Sequence, residues 1–413
     1  MSAPYWPHRT AENRRRTFPK YKGDGTADVV VIGAGLTGCA SAYTLAAAGL
    51  NVVVLEAERL AGGETGAGLG MIVPEPDAVF RNVETARGRK VARLAWEEAQ
   101  RAAIDFAATL KKLDINCDLK PAATHLNAFT FGDGEPLKKE MAARKAVKLD
   151  GAWVPPVSAK RTLSTESFGA MRLRGGAVYD AVRAALGLAA IAEKKGAKFF
   201  EHSRVKKTTF TRKDATVFLE SGAKIKTQGI VVATGEPGEV FGQLRRHVRV
   251  HEGHVVVTQS LNAEMRREAG ARDYALIERG PSVSDSGRDN SRWLRFLGED
   301  RVLFAGVETK PLKDRQRDKI LVQRAGQLMY ELSVHYPSIS GLKAEWAWAL
   351  PVVSTLDGLP WVGAHRNYPF HFFALALGWH GDAISWFTAR AAARHFAGTP
   401  KPEDDAFSFL RAL

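Results

Sequence analysis

Residues 27–56 constrain this chain more than any other stretch. Ala27–Ile32 (ADVVVI) is largely β-branched and apolar, the composition of a strand buried on both faces. Gly33-Ala34-Gly35-Leu36-Thr37-Gly38 follows, then a helical run from Cys39 to Ala48 closed by Gly49 at the C′ position. A second apolar strand, Val52–Leu55, ends in Glu56. Together they make a complete βαβ unit, which needs about 30 residues. Gly33 permits the tight turn, Gly35 lets backbone approach a pyrophosphate, and Gly38 lets the helix pack close on the strand. The helix N-terminus offers unsatisfied N–H groups and a positive dipole end to phosphate. Glu56, at the tip of the second strand, is placed to accept hydrogen bonds from a ribose diol. A Gly-rich turn without a ligand would be the bland explanation. The agreement of both strands, the helix and the acidic residue argues against it.

The unit alone does not separate NAD from FAD. After Ala57-Glu58-Arg59 comes a second glycine-dense loop, Leu60 to Pro74, which returns directly to apolar sequence at Met71-Ile72-Val73. Such a loop lets backbone wrap a longer, extended cofactor, and Arg59 is available to pair with phosphate or stack on adenine.

At these residues the chain resembles the D-amino-acid oxidase/glycine oxidase family of FAD-dependent oxidoreductases. Strand, GxGxxG, helix, strand, Glu, then Arg and a small-residue loop under the flavin is that family's order. Gly68-Leu69-Gly70-Met71-Ile72-Val73-Pro74 is similar to the glycine oxidase branch. Asp357-Gly358-Leu359-Pro360-Trp361-Val362-Gly363 resembles the family's DGLPxIG signature. A strand from Phe370 to Leu377 and the loop Gly378-Trp379-His380-Gly381-Asp382-Ala383 follow, leading into a helix, Ile384 to Phe396. The Pro4-Tyr5-Trp6 arm is similar to the gamma-glutamylputrescine oxidase-like branch. In the middle, Gly229–Gly235, ending in Ala233-Thr234-Gly235, resembles the strand under the pyrophosphate, and Val205 stands where such proteins contact adenine through backbone.

The resemblance implies an α/β fold: a Rossmann-like FAD-binding domain with an inserted α+β substrate domain built on an antiparallel sheet. It implies FAD held by Gly33, Gly35, Leu36, Thr37, Gly38, Glu56, Ala57, Arg59, Gly63, Glu64, Thr65, Gly70, Met71, Val205, Ala233, Thr234, Gly235, Gly378, His380, Gly381, Asp382 and Ala383. The attachment is expected to be non-covalent, since no cysteine lies near the C-terminal flavin segment. It also implies oxidation of an amine or amino acid by hydride transfer to flavin, with O2 or an electron carrier as acceptor. Two departures stand out. The family's loop entry has glycine where Ala383 stands, and Asp382 at the helix cap puts a carboxylate near the flavin. Amino-acid oxidases of the family place an Arg just before the Asp-Gly signature, whereas Glu345–Thr355 has none. Arg295 is the replacement candidate for holding an acidic substrate, with a strand salt bridge as the competing role. Trp348 and His380 complete the candidate catalytic set, against core packing and a capped loop. His251 and His254 have no ligand companions, so no metal is expected.

The cofactor domain is expected to be discontinuous, at 26–80, 165–240 and 345–400. Residues 81–164 and 241–344 then form the substrate domain, 1–25 a basic arm and 401–413 a tail. The first insert carries an amphipathic helix, Gly88 to Leu113, with Val91, Leu94, Ala95, Ala102, Phe106 and Leu110 on one face. The second alternates as strands at 253–259, 275–278, 291–296 and 301–307, then a helix from Asp314 to His335. The polar run Ser282–Asn290 is a loop.

Composition narrows the remaining classes. Of 413 residues, 45% are hydrophobic and 25% charged, which excludes a disordered or fibrous chain. Two cysteines cannot build a disulfide framework or a zinc site. No apolar run approaches the length of a membrane span. Arg14-Arg15-Arg16-Thr17-Phe18 lacks the apolar stretch of an export signal, so a cytoplasmic location is expected. The net charge of +14 raises a nucleic-acid partner, for instance as a tRNA-modifying flavoprotein. The clusters at Arg14–Lys22 and Lys138–Lys148 are separate, and only the first carries aromatics, which argues against it. Oxidation of a 2-hydroxy acid by a flavin dehydrogenase, and a flavin fold that binds without catalysing, also fit these motifs.

Overall fold

The basic segment before the first strand is not a free arm. In the computed structural model, which describes residues 4–9, 16–270, 273–278, 291–311 and 314–412, Tyr5–Arg9 form a short helix, α1, with Tyr5 and Trp6 buried. The Phe18 N–H donates to Glu201 Oε2 at 3.1 Å, and the Tyr21 N–H to Ser203 Oγ at 2.9 Å. Large aromatic side chains at both ends supply the apolar area that ties a charged segment down. Arg14 and Arg15 lie outside the described residues, as does the expected Ser282–Asn290 loop.

The βαβ unit forms as its pattern demands. β1 (Gly25–Ile32) pairs in parallel with β2 (Val52–Leu55), and α2 (Leu36–Ala47) crosses between them. Val29, Val31, Val52 and Val54 face one apolar cluster; Val30, Ile32, Val53 and Leu55 face another. The alternation is that of strands buried on both faces. The sheet extends past β2 to β9 (Lys198–Phe200) and past β1 to β12 (Lys224–Gly235). Near its start β12 pairs antiparallel with β11 (Ala215–Leu219), which pairs with β10 (Val205–Phe210). Near its end β12 pairs in parallel with β19 (Tyr368–Leu375), which pairs with β18 (Trp361–His365). On one face α2 packs against α8 (Ala181–Lys194) and α11 (Asp382–Phe396), and α11 against α5 (Arg89–Lys112). α5 matches the expected amphipathic helix: Ala95, Ala102, Phe106 and Leu110 are buried, while Val91 and Leu94 are only half-buried at its edge.

The second sheet has the order β17-β13-β16-β15-β14-β5-β7-β6. Its strands are β5 (Ala123–Asn127), β6 (Ala152–Val154), β7 (Ala170–Leu173), β13 (Arg249–Thr258), β14 (Tyr274–Glu278), β15 (Arg292–Leu297), β16 (Arg301–Thr309) and β17 (Ala344–Ser354). It is antiparallel except for the parallel β14–β5 pair. β7 and β17 come from stretches assigned to the cofactor side, so those stretches contribute to both sheets. Leu294 and Phe296 of β15 face a cluster with α10 (Asp314–His335); Trp293 and Leu297 face the cofactor half. α7 (Pro156–Leu163) and α9 (Ala263–Glu268) add Leu163 and Met265 to the α10 side.

A three-stranded sheet, β3 (Met71–Ile72), β8 (Ala177–Val178) and β4 (Lys120–Pro121), joins the halves. α3 (Glu64–Ala67) precedes it, and α4 (Phe80–Arg87) follows, its Phe80 N–H donating to Glu140 Oε1 of α6 (Phe131–Ala146) at 2.8 Å. The C-terminal tail is docked: Arg411 lies 3.5 Å over the Trp361 ring and its Nε is 3.1 Å from Asp357 Oδ2. Among the described residues no helix is long and apolar enough to cross a membrane.

Candidate active site

The nucleotide end is built from the glycine turn. Gly33 has φ +97°, and a Cβ there would lie 2.7 Å from the Ala233 carbonyl oxygen. A Cβ at Gly38 would lie 1.9 Å from the Gly33 oxygen, so only glycine lets α2 approach β1. Gly35 is the N-cap of α2. The Leu36 N–H donates to Thr65 Oγ1 at 2.8 Å, and Thr37 Oγ1 lies 2.8 Å from Ser385 Oγ, tying α2 to the start of α11. Among the described residues the N–H groups of Gly35 and Thr37 meet no protein acceptor, leaving donors for phosphate. Glu56 is fixed at the tip of β2: Oε2 accepts from the Ala34 N–H at 2.7 Å and Oε1 from the Glu58 N–H at 2.9 Å, across Ala57. The Ser203 N–H donates to the Glu56 carbonyl at 2.7 Å, which brings the Val205 segment alongside.

Two acidic groups alter the expected picture. Arg59, expected at phosphate or adenine, lies 3.4 Å from Glu201 Oε1. Glu201 is buried, and a buried carboxylate needs a cation or donors, here Arg59 and the Leu60 N–H at 2.8 Å. Glu64, which follows the Gly63 cap of α3, sets its carboxylate across the end of β12: a Cβ at Gly235 would lie 2.6 Å from Glu64 Oε2. Glu64 is exposed, yet the chain packed around its carboxyl, and then Glu236, push it up to about 8. A diphosphate is repelled there by a carboxylate and accepted by a carboxylic acid. The cradle therefore fits a dinucleotide through its glycines, its free N–H groups, Glu56 and Ala233-Thr234-Gly235, with Glu64 protonated.

The other end is the loop Ala67–Met71. Its carbonyls receive side-chain donors from three distant segments. Trp348 Nε1 on β17 donates to the Ala67 oxygen at 2.8 Å, and Trp6 Nε1 on α1 to the Gly68 oxygen at 2.7 Å. Arg295 Nη1 on β15 donates to the Leu69 oxygen at 3.3 Å, to the Gly70 oxygen, and to the Tyr179 oxygen at 2.9 Å. Gly70 has φ +65°, and Tyr179, Arg295 and Trp6 leave no room for a Cβ. Met71 pairs with Val178. The salt bridge weighed for Arg295 is absent among the described residues. Its guanidinium sits 5.1 Å over the Trp6 ring, and burial pushes it down to about 10.

Facing this is Gly378–Ala383. The Trp379 N–H donates to Asp77 Oδ2 at 2.9 Å, and His380 Nε2 is 3.1 Å from Asp77 Oδ1. Gly378, at φ +74°, leaves room for that carboxylate. Gly381 is the N-cap of α11, so Asp382 is the first helical residue rather than the cap expected. Burial raises Asp382 to about 6, opposed by the Tyr179 hydroxyl, His380 and Arg295. Ala383 is fully buried in the place where family members carry glycine. Trp379 stacks on Trp293 at 4.4 Å, over Gly253.

The structure thus gathers Arg295, His380 and Asp382 with Tyr179 around Gly70, and Trp348 reaches the same loop. Sequence reasoning missed Asp77, Tyr179 and Trp6 as parts of this site. Trp6 carried a signal, an aromatic pair just before a basic stretch. Asp77 carried none, because its partners lie about 300 positions away.

Comparison with known proteins agrees with this geometry. The family model for FAD dependent oxidoreductases, DAO, matches residues 28–395. The chain is 24% identical over 404 residues to a gamma-glutamylputrescine oxidoreductase of Escherichia coli, covering 96% of this chain and 90% of that one. It is 23% identical over 413 residues to a probable oxidoreductase OrdL of Haemophilus influenzae, covering 98% and 89%. Among solved structures, glycine oxidase from Geobacillus kaustophilus superposes with a TM-score of 0.74 at 18% identity, over 93% of this chain and 98% of that one. An L-amino acid deaminase from Proteus myxofaciens gives 0.75 at 15% identity, over 96% of each. The chain belongs to the DAO family of FAD-dependent oxidoreductases.

Proposed function

We propose that the protein oxidises a C–N bond of a small amine or amino acid. Bound FAD supplies the acceptor for the hydride leaving the carbon beside a neutral amine. The observation that carries this reading is the loop Ala67–Met71, which runs from the nucleotide cradle and is held by Trp348 and Arg295 of the opposite sheet. The space between cradle and sheet is where substrate and flavin meet. The names of the glycine oxidase, the amino acid deaminase and the gamma-glutamylputrescine oxidoreductase all denote amine or amino-acid chemistry, which supports the same class.

The chain's part is orientation and exclusion of water. Trp348 holds the Ala67 carbonyl from β17, and His380 is a positioning residue that, with Asp77, fixes the loop before α11. Attachment of FAD is non-covalent: Cys39 and Cys117 are both buried, and burial pushes the Cys117 thiol up to about 11, which suppresses thiolate chemistry. Either O2 or an electron carrier reoxidises the flavin, and peroxide formation distinguishes them.

The test is anaerobic bleaching of the flavin by a panel of amines, amino acids and 2-hydroxy acids. Bleaching by members of the first two groups is expected. Bleaching by 2-hydroxy acids alone overturns the reading.

A further inference from the structure

The turn between β18 and β19 carries positive charge that no carboxylate answers. His365 and Arg366 stand there, beside Arg246 and His247 at the end of the short helix Gly242–His247. The two imidazole rings lie 6.4 Å apart. Arg246 and Arg366 are exposed, and among the described residues neither has a carboxylate partner. Burial and then Arg246 push His247 below its ordinary value; burial, then His247, Arg366 and Arg246 do the same to His365. No acidic group offsets either shift. The platform beneath is fixed. Trp361 Nε1 donates to the His247 carbonyl oxygen at 3.2 Å, the Trp361 ring stacks on Phe409 at 5.0 Å, and His365 meets Phe409 edge-on at 5.0 Å.

Both imidazoles have a defined donor. Arg246 Nε donates to His247 Nε2 at 3.2 Å, and the Asn367 N–H donates to His365 Nδ1 at 3.2 Å. A ring nitrogen that accepts carries no proton, so in each neutral ring the other nitrogen is the donor. Among the described residues His247 Nδ1 and His365 Nε2 meet no acceptor. Two guanidinia and two imidazole N–H groups therefore gather with no acceptor between them. Water hydrates such donors but leaves their like charges unbalanced, whereas a phosphate supplies both negative charge and several acceptor oxygens. The dinucleotide cradle is elsewhere. Leu375 pairs with Gly235 beside it, and Tyr368 starts the same strand, roughly 20 Å away at the other end. We propose that Arg246, His247, His365 and Arg366 form a phosphate-binding site separate from the cofactor cradle. A free phosphate ligand and a lipid headgroup share this chemistry.

The test is calorimetric titration of inorganic phosphate into the FAD-loaded protein, with chloride adjusted to hold ionic strength constant. FAD then fills the cradle, and absorbance checks the loading. Saturable binding with a Kd of about 1 mM or tighter is expected. Arg246→Gln and Arg366→Gln, both at exposed positions, each weaken it at least about fivefold. Lys111→Gln, which removes an exposed cation at the end of α5, leaves it unchanged. Vesicles of phosphatidylcholine carrying phosphatidic acid separate the two sources. Cosedimentation with these and not with phosphatidylcholine alone, lost in Arg246→Gln, identifies a lipid headgroup; phosphate binding without cosedimentation identifies a free ligand. Heats that do not saturate, or Arg246→Gln and Arg366→Gln proteins that bind phosphate as tightly as the unaltered chain, overturn the proposal.

Discussion

Two carboxylic acids set how the site meets a negatively charged cofactor. Glu64 faces the pyrophosphate cradle with its carboxyl pushed up to about 8, so near pH 7 it is largely the neutral acid. FAD affinity is therefore expected to be highest below that value and to fall about tenfold as pH rises through it, the scale of one pKa unit of differential interaction. Glu64→Gln removes the pH dependence in a fluorescence titration of FAD; an unchanged profile contradicts the assignment. Asp382 follows the same logic within the fold. Its folded-state value of about 6 lies above the ordinary carboxylate range, so stability falls as pH rises from about 4 to 6. Asp382→Asn is expected to stabilise by about 1–2 kcal/mol at pH 7 and by nothing near pH 4, as read from thermal melts. Neither effect was legible in the sequence. The glycines and Glu56 were, because their roles follow from local backbone geometry. The environments of Glu64 and Asp382 depend on Glu236 and Tyr179, which only folding brings near.

At the scale of elements, the αβ pattern placed β1, α2, β2, α5 and α10 well, because periodicity is a local property. It did not say which sheet β7 and β17 join, since their partners are remote: β7 pairs with β5 and β6, β17 with β13. It also missed that the arm before β1 carries a helix whose Trp6 reaches the Gly68 carbonyl. Deleting residues 1–9 is expected to lower both the melting temperature and FAD retention on gel filtration; retention equal to the full chain contradicts a role for α1. The DGLP-like turn is an electrostatic hub. Asp357 Oδ2 accepts from Arg87 Nε at 2.9 Å and Arg411 Nε at 3.1 Å, while Thr355 Oγ1 donates to Oδ1 at 2.9 Å. Against burial, these groups hold Asp357 below its ordinary value. Asp357→Ala leaves Arg411 buried and unpaired, and a loss of about 3 kcal/mol in denaturant unfolding is expected.

At the scale of the whole molecule, most Lys and Arg side chains among the described residues are solvated, and the feature on which the proposed chemistry turns is how the two sheets meet at one loop. That loop draws donors from α1, β15 and β17, so binding a cofactor against it couples the two halves. Saturating FAD should then stabilise the fold by about 2–3 kcal/mol at a hundredfold excess over Kd. The absorbance spectrum of the purified protein tests the central claim most directly. Flavin bands at about 375 and about 450 nm are expected, with the chromophore released into solution on acid denaturation, as the proposed non-covalent attachment requires. A colourless protein that takes up no added FAD contradicts the account.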